Sequence, residues 1–521
     1  MKHLAGWICA LVMGLAMSAA SSAAHADEFD AARAAIRKHM QKNKIPATSV
    51  ALWRDGRIVW EEGFGLADKE NGIPTTPHTM FCLASLSKTM TATALMTLVQ
   101  AGKVDLDKPA NDYLGDDPVT VHIGDPAQVT VRRLADHTSG LTASDQFFYG
   151  ADVAKTPSMK ETIQRYGIVV APPGERYWYS NIGYGIVGHL VEKVSGKPYA
   201  DYMREDVYLP LGMRHSAENI PAGLEKQHAI RYDYDRNPIP FYVSAEPASA
   251  SIYSSAHDLA RFGMFMLKNP VPGLKPVLSH ASIDAMSATA INESEVPVRM
   301  AAPGDDGYGI GLVVGDMGGY HTIGHSGSTS GVSSNFILFP SENVGIVMLA
   351  NVDGGLHGDI LRDILKTQLP GWRDPPKAPE SPKPTPAKAF EPPATLVGTW
   401  KGNVHTYEGE QPIRLKVLPS GDVHVRIGTE SRWGANRSST HMDAVLSGAT
   451  FKDGQLSGRA LSQVTTSDTK RRPLSYTVSL RLNLRDGEVL NGTAMATAVF
   501  NGFWESALPY WAELRKTADE G

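Results

Sequence analysis

A serine and a lysine lie one helical turn apart in the segment Ser85-Leu86-Ser87-Lys88. Residues at positions i and i+3 share one face of a helix, so the Lys88 amine can lie beside the Ser85 hydroxyl. An adjacent base activates a hydroxyl that is otherwise a weak nucleophile. Unpaired backbone N–H groups at the start of a helix are also suited to hold an oxyanion. The pair therefore predicts acyl transfer through a serine nucleophile.

The surrounding residues favour a buried helix with a reactive first turn. The residues Phe81–Ala84 are small or apolar, and the run that follows the pair reaches Gly102 without a glycine or proline. A second Ser-x-x-Lys spacing, at Ser467 and Lys470, lies in a polar stretch before two arginines and a proline, which predicts a turn. Short motifs arise by chance, and this difference in context favours the first occurrence.

Two further segments carry groups that could complete such a site. Tyr179-Ser180-Asn181 lies in a loop before a helical pattern, and that position can present a phenol and an amide to a cleft. The alternative interpretation is a packed tyrosine and a helix-capping asparagine. The segment 324–328, Gly-His-Ser-Gly-Ser, follows an expected strand, and its glycines permit another backbone to approach closely. The alternative there is a glycine-rich hairpin or bulge.

The composition is that of an ordinary globular protein of 521 residues, with 42% hydrophobic and 20% charged residues and a net charge of −5. Because the chain has no excess of basic residues, nucleic acid is not an expected partner. The histidines show no metal-ligand spacing along the chain, so no metal and no other cofactor is expected.

The first 26 residues predict a secretory signal peptide. Lys2 precedes an apolar run from Leu4 to Met17, and small residues then lead to Ala24-His25-Ala26. The apolar run is too short to span a membrane, and no stable membrane anchor is expected. We expect cleavage before Asp27 and a periplasmic or secreted protein. Cys82 is then the one cysteine of the mature chain, and we expect it to pack rather than to react.

Residues 27–370 predict an α+β domain in which one antiparallel sheet draws strands from both ends and helices are inserted between them. Helices are expected at Phe29–Met40 and at about 356–369, and the pattern between Thr89 and Met286 is mainly helical. The expected strands are Ser49–Trp53, Arg57–Gly63, Gly309–Val314, Gly319–Ile323, Val332–Phe339 and Val344–Ala350.

A proline-rich linker is predicted at 371–394, followed by a second domain at 395–521. Short alternating strands in that domain predict an all-β barrel or sandwich. These expected strands are Ile413–Leu418, Val423–Ile427, Tyr476–Leu484 and Thr493–Phe500.

The ordered set Ser85-x-x-Lys88, Tyr179-x-Asn181 and His325-x-Gly327 resembles the serine hydrolases related to class C β-lactamases. That group includes D-aminopeptidases, D,D-carboxypeptidases (penicillin-binding proteins) and S-x-x-K esterases. The resemblance covers about 30–370 and implies a β-lactamase/penicillin-binding-protein-like transpeptidase fold. The second domain is similar to the lipocalin-like barrels that are appended to such enzymes.

The resemblance also implies a covalent acyl-enzyme mechanism. Ser85 is the nucleophile, and Lys88 and Tyr179 together relay its proton. Backbone N–H groups of Ser85 and Ser328 hold the oxyanion. The implied substrate-binding residues are Asn181, His325, Gly327 and Ser328.

One departure from the family pattern bears on the substrate. Most β-lactamases and penicillin-binding proteins carry a lysine where this chain has His325, and a histidine of ordinary pKa is largely neutral at pH 7. The histidine variant resembles that of D-aminopeptidases, whose substrates are recognised at a free amine. A small peptide, amide or ester is therefore the expected partner, with D-peptidase activity favoured.

Other functions stay open from the sequence. An S-x-x-K esterase, a β-lactamase and a D,D-carboxypeptidase share the motifs, and a ligand-binding sensor could keep the same fold without turnover. A Ser-His-Asp hydrolase is disfavoured because the chain has no Gly-x-Ser-x-Gly segment.

Overall fold

The computed structural model describes residues 28–220, 223–270, 273, 275–289, 305–354, 358–374, 389–428, 443–471, 476–500 and 503–517. The predicted signal peptide and the central part of the predicted linker, 375–388, lie outside the described residues.

The first part of the chain alternates short strands with helices between two groups of longer strands. The strands, in chain order, are β1 (Ala47–Arg54), β2 (Arg57–Asp68), β3 (Ile73–Pro74), β4 (Phe81–Cys82), β5 (Thr120–Val121), β6 (Asp145–Tyr149), β7 (Ile168–Val169), β8 (Ala217–Glu218), β9 (Tyr242–Ser244), β10 (Ile252–Ser254), β11 (Asp305–Tyr308), β12 (Val313–Met317), β13 (Tyr320–Thr329), β14 (Val332–Phe339) and β15 (Val344–Ala350). The helices are α1 (Asp30–Asn43), α2 (Ser87–Gln100), α3 (Asn111–Leu114), α4 (Val131–Ala135), α5 (Met159–Tyr166), α6 (Asn181–Ser195), α7 (Tyr199–Tyr202), α8 (Pro247–Ala250), α9 (Ala256–Met266), α10 (His280–Ser287) and α11 (Gly358–Gln368).

Eight of these strands form one antiparallel sheet in the order β11-β12-β13-β14-β15-β1-β2-β3. The two ends of this part of the chain meet at the centre, where β1 pairs with β15 from Thr48 opposite Ala350 to Arg54 opposite Val344. β15 is buried along its whole length, as is almost all of β1, because helices cover both faces of the sheet centre. The predicted α+β layout is confirmed.

Helix α2 is buried on nearly all sides, since its small threonine and alanine side chains allow neighbouring elements to approach closely. The threonine hydroxyls bond to backbone carbonyls, as Thr89 does to Gly311 at 2.7 Å and Thr91 to Ala248 at 2.6 Å. These bonds satisfy polar groups that would otherwise destabilise a buried helix.

In this part of the main sheet, the predicted strand Gly309–Val314 is displaced and the predicted strand Gly319–Ile323 is too short. Residues 309–312 cross over α2 rather than forming a strand, and Gly311 takes a φ of +74° there. A side chain at Gly311 would lie 2.4 Å from the Cβ of Ala92, so the crossing requires glycine. β12 therefore begins only at Val313. The segment 324–328 lies inside the long strand β13 and does not follow a strand that ends at Ile323.

The second part of the chain forms a nearly closed antiparallel barrel, which confirms the predicted all-β unit. Its elements are β16 (Gly398–Thr406), β17 (Gly409–Val417), β18 (Val423–Ile427), β19 (Ala444–Val445), β20 (Ser447–Lys452), β21 (Gln455–Leu461), α12 (Ser467–Lys470), β22 (Thr477–Arg485), β23 (Val489–Phe500) and β24 (Phe503–Thr517). The strand order is β19-β18-β17-β16-β24-β23-β22-β21-β20. β19 and β20 lie on either side of Leu446, so the two ends of the sheet meet at that residue.

The barrel is joined to the first part of the chain by strand pairing. β24 pairs with β6, with Ser506 opposite Gln146 and Ala507 opposite Asp145. Asp468 of the barrel also accepts a hydrogen bond from the Tyr166 hydroxyl at 2.6 Å. Among the helices described, none combines the length and the apolar character that a membrane crossing requires.

Candidate active site

Ser85 lies at the point where β4 turns into α2. A single 3₁₀ turn over Ala84–Leu86 joins the two elements, and Ala84 takes a φ of +47°, which is unusual for a residue with a side chain. Such backbone strain is typical of functional turns. The turn leaves the Ser85 side chain partly exposed, whereas its neighbours Ala84 and Leu86 are buried.

Lys88 lies in the first turn of α2, and its side chain is fully buried. Its Nζ lies 3.3 Å from Ser85 Oγ, and it donates hydrogen bonds to Asn181 Oδ1 at 2.6 Å and to the Ser249 carbonyl at 3.1 Å. Burial lowers the pKa of Lys88 to about 7, although the charges of Asp145 and Glu246 act in the opposite direction. A large fraction of the amine is therefore neutral near pH 7 and able to accept a proton.

Tyr179 lies just before α6, and its side chain contacts Ser85. Its hydroxyl shares a hydrogen bond with Ser85, and burial raises the pKa of Tyr179 above its ordinary value. Lys88 Nζ lies 4.8 Å from the centre of the tyrosine ring. The structure thus brings the three predicted catalytic side chains together, with a neutral phenol and a titratable amine beside one hydroxyl.

Asn181 connects the lysine to a carboxylate that the sequence interpretation missed. Its side-chain oxygen accepts from Lys88, and its Nδ2 donates to Asp145 Oδ1 at 2.8 Å. These two bonds fix the orientation of the Asn181 amide and hold Lys88 towards Ser85. Asp145 lies at the start of β6, the strand that pairs with the barrel.

Glu246 is a second carboxyl group behind the lysine that the sequence interpretation missed. It is fully buried, and burial and the nearby charge of Asp145 raise the pKa of Glu246 to about 8. Its carboxyl oxygens accept hydrogen bonds from Ser144 at 3.2 Å and Ser244 at 3.1 Å. The carboxyl group is mainly protonated at neutral pH, and it opposes the lowering of the Lys88 pKa only in its ionised form.

His325 lies on β13, opposite Phe336 of β14. Its Nδ1–H donates to the Ser326 carbonyl at 2.6 Å, so Nε2 accepts from the Tyr308 hydroxyl at 2.9 Å. Burial and the nearby Lys88 lower the pKa of His325 to about 3. The imidazole is therefore neutral at pH 7, and this position supplies no cation for a substrate carboxylate.

Gly327 allows β13 to lie directly against the serine turn. A Cβ at this position would lie 2.0 Å from the Leu83 carbonyl oxygen and 2.9 Å from the Ser85 backbone nitrogen. Ser334 on the neighbouring strand β14 holds the same turn by donating to the Leu83 carbonyl at 2.7 Å. The predicted oxyanion groups, the backbone N–H groups of Ser85 and Ser328, therefore belong to two elements in close contact.

We expect Gly327→Ala to impair the site, because the added methyl group forces β13 away from the serine turn. The free energy of unfolding should fall by about 1–3 kcal/mol, and reactivity at Ser85 should fall with it. Denaturant unfolding and active-site titration would measure the two effects. Gly358→Ala is the matched control, since a side chain there meets no atom within 4 Å. Equal behaviour of the two variants would contradict the prediction.

A cavity of about 370 Å³ opens above Ser85. Residues from both parts of the chain line it: Ala84, Ser85, Asp145, Phe147, Asn181, Tyr234, Ala250, Ser328, Thr329, Ser330, Asp353 and Val499. Val499 comes from strand β23 of the barrel. The barrel therefore supplies part of the wall, and it also pairs with the strand that carries Asp145 and Phe147.

Comparisons with known proteins match the first part of the chain to a known family. The model of the family described as Beta-lactamase matches residues 32–369. The unguisins hydrolase ungD' of Aspergillus campestris is 28% identical over 332 residues, which make up 61% of this chain and 60% of that protein. The chain spans about three fifths of the length of the curated relatives it matches.

Two solved structures share the fold. The penicillin-binding protein homologue from Pyrococcus abyssi is 23% identical, covers 92% of this chain and 99% of its own, and has a TM-score of 0.55. The D-amino acid amidase from Ochrobactrum anthropi SV3, complexed with D-phenylalanine, is 22% identical, covers 66% and 99%, and has a TM-score of 0.54. The predicted β-lactamase/penicillin-binding-protein-like fold is confirmed. Because the family model matches well over half of its length, the chain belongs to the Beta-lactamase family.

Proposed function

We propose that this protein is a serine hydrolase that cleaves small amides or peptides through an acyl-enzyme on Ser85. The observation that carries the proposal is the buried Lys88 amine, which lies 3.3 Å from Ser85 Oγ and has its pKa lowered to about 7. A general base works best when its pKa lies near the operating pH and when it lies within hydrogen-bond reach of the proton.

The chemical steps follow from these positions. Ser85 Oγ attacks the substrate carbonyl carbon, and its proton passes to the neutral Lys88 amine. Backbone N–H groups of Ser85 and Ser328 stabilise the resulting oxyanion. When the tetrahedral intermediate collapses, the bond to the leaving group breaks, and the leaving group takes a proton from Lys88 by way of the Tyr179 hydroxyl. Water then attacks the acyl-enzyme, releases the acid and restores Ser85.

A fluorophosphonate probe followed by peptide mass spectrometry tests this assignment. We expect one label, on Ser85, and no label in the Ser85→Ala variant. Ser467→Ala is the matched control, because Ser467 begins the second Ser-x-x-Lys segment and its side chain is exposed. A label on any other residue, or equal labelling of Ser85→Ala, would reject the proposal.

We propose further that the substrate carries a free α-amine, as in a D-amino-acid amide or an N-terminal D-peptide. Asp145 supports this class because its carboxylate lies on the cavity wall beside Asn181 and can pair with a substrate ammonium group. The neutral His325 supports it as well, since it removes the cation that would select a substrate carboxylate. The names of the unguisins hydrolase and the D-amino acid amidase describe hydrolytic enzymes of related sequence or fold.

We expect Asp145→Asn to lower kcat/KM for amine-bearing substrates by about tenfold or more, since the charge pair is lost while the side-chain shape is kept. For an N-acetylated amide that carries no charge, kcat/KM should fall much less in the variant. Because Asp145 also raises the pKa of Lys88, full pH profiles of the variant and the wild type should be compared, so that a change in the Lys88 pKa is separated from the loss of the charge pair. Equal losses on both substrates would argue against amine recognition.

The pH profile of kcat/KM should report the titration of Lys88. The active form is the neutral amine, so activity on an uncharged substrate such as an N-acetylated amide should fall by about tenfold for each pH unit below the Lys88 pKa of about 7 and level off above it. The pKa values of His325 and His137 lie far below that range, so neither histidine supplies this limb. Initial rates across the range give the profile, and His325→Asn should retain the limb. A flat profile would contradict Lys88 as the base.

A panel of D-amino-acid amides, short acyl esters, D-Ala-D-Ala peptides and a chromogenic β-lactam separates the related functions. We expect turnover of the amides above that of the others. Fast β-lactam hydrolysis would refute the interpretation of His325. Measurable binding without hydrolysis of any compound would favour a ligand-binding sensor.

We also propose that the protein is exported and that its mature chain begins at Asp27. The N-terminal pattern of a basic residue, an apolar run and a small-residue cleavage site supports this. N-terminal sequencing of the protein from a fractionated producing cell tests it. An uncleaved chain in the cytoplasmic fraction would reject it.

A further inference from the structure

Three histidines and a glutamate meet at one place on the surface of the first part of the chain. Glu61 lies on β2, His78 lies between β3 and β4, His215 lies just before β8, and His257 is the second residue of α9. None of these four described residues lines the cavity above Ser85. Their separation along the chain explains why histidine spacing gave no sign of the cluster.

The distances within this cluster are short enough for shared coordination. One ligand atom from each of Glu61, His78 and His257 lies within 4.8 Å of the other two. His257 Nδ1 lies 2.8 Å from Glu61 Oε2, and the His78 ring centre lies 4.5 Å from that of His257 and 5.0 Å from that of His215. Two ligands of a tetrahedral zinc ion lie about 3.3 Å apart, given bond lengths of about 2.0–2.2 Å. Small side-chain rotations would therefore close the cluster around an ion.

The backbone beneath the cluster is held firmly. The His257 backbone N–H donates to the Pro77 carbonyl at 3.1 Å, which ties the start of α9 to the segment that carries His78. The buried Asp258 carboxylate accepts from the His215 backbone N–H at 2.6 Å and from the Ser216 hydroxyl at 2.8 Å. His78 itself is exposed, so its ring can turn towards an ion at little cost.

We propose that Glu61, His78 and His257 bind a divalent transition-metal ion of the zinc class, with His215 as the fourth ligand. Imidazole nitrogens with one carboxylate suit Zn²⁺, Ni²⁺ or Cu²⁺, whereas Mg²⁺ and Ca²⁺ prefer oxygen ligands throughout. The ion would join β2, α9 and the segment that leads into β4 and the serine turn. Its role is structural, because the cluster lies outside the catalytic cavity.

Calorimetric titration of untagged, chelator-treated protein with Zn²⁺ tests the site. We expect one ion per chain, binding at least about tenfold weaker in His78→Ala and in His257→Ala, and a higher melting temperature with Zn²⁺ than without it. His321→Ala is the matched control, since His321 is an exposed histidine on β13 that is not part of the cluster. Hydrolase activity is not part of this readout, so failure of the site leaves the proposed function intact.

The absorption spectrum of the Co²⁺-loaded wild-type protein gives a second measurement that does not depend on any variant folding. A tetrahedral nitrogen–oxygen site produces intense visible bands, whereas hexahydrated Co²⁺ produces weak ones. Absence of Zn²⁺ binding, a weak hexahydrate-like spectrum, or unchanged affinity in a folded His78→Ala/His257→Ala double variant would each overturn the proposal.

Discussion

Ser85→Ala is expected to lower kcat by at least about 10⁴-fold on every substrate that the protein hydrolyses. The hydroxyl forms the acyl bond, and the alanine variant keeps the cavity but has no atom that can attack the carbonyl. Steady-state rates together with intact-protein mass spectrometry under substrate would measure the loss of both turnover and acyl-enzyme. Because Ser85 is a partly exposed side chain, we expect the variant to fold as the wild type does.

The control for this variant is Ser467→Ala, which removes the serine of the second Ser-x-x-Lys segment. That residue is exposed at the start of a single helical turn of the barrel, so the loss of its hydroxyl should leave kcat unchanged. Retention of more than about a tenth of the wild-type rate by Ser85→Ala would rule out Ser85 as the nucleophile, since triad-type nucleophile losses are far larger.

Lys88→Met and Lys88→Arg are expected to lower kcat/KM by about 10²–10⁴-fold, the usual contribution of a positioned general base. Methionine fills the buried space but accepts no proton, and arginine keeps a cation that does not deprotonate in proteins. Both variants should also lose the limb of the pH profile near 7, because that limb reports the Lys88 amine. Rates across the pH range, measured after circular dichroism confirms folding, test this expectation.

The two variants also separate catalysis from packing. In Lys88→Met, Asn181 Oδ1 and the Ser249 carbonyl lose a donor, which costs about 1–3 kcal/mol of stability for each buried acceptor left unpaired. Relief from burying the amine offsets part of that loss. Lys470→Met is the matched control on an exposed turn and should change neither rate nor stability. A normal pH profile in the Lys88→Arg variant would show that a group other than Lys88 is the base.

Local spacing drew attention to the candidate side chains, because each pair lies within one turn or one loop, and the family resemblance assigned their roles. Ser85 and Lys88 are neighbours on α2 and its leading turn, and Tyr179 and Asn181 flank the start of α6. The family resemblance then indicated that these separate segments form one site. The central strands β1, β14 and β15 were also predicted, since apolar runs bounded by turn residues are typical of buried strands.

The sequence interpretation missed residues whose contacts with the site come from segments far apart in the chain, because no motif around them marks such a role. Asp145 lies in a stretch with a mainly helical pattern, yet it forms the start of β6, where β24 of the barrel pairs with it. Glu246 is one carboxyl group among many in the sequence, and its raised pKa arises from burial beneath the site. Tyr308 donates a hydrogen bond to His325, and the two residues meet only because β11, β12 and β13 pair side by side.

The sequence by itself determined the order of the main elements and the position of Ser85 beside Lys88, since both depend on periodicity and spacing within a few turns of chain. Tertiary structure decided the protonation states around Lys88, the contribution of the barrel to the cavity wall, and the meeting of Glu61, His78, His215 and His257. The physical reason is that burial, charge–charge interaction and coordination depend on distances between atoms. Those distances are set only when segments far apart in the chain pack against one another.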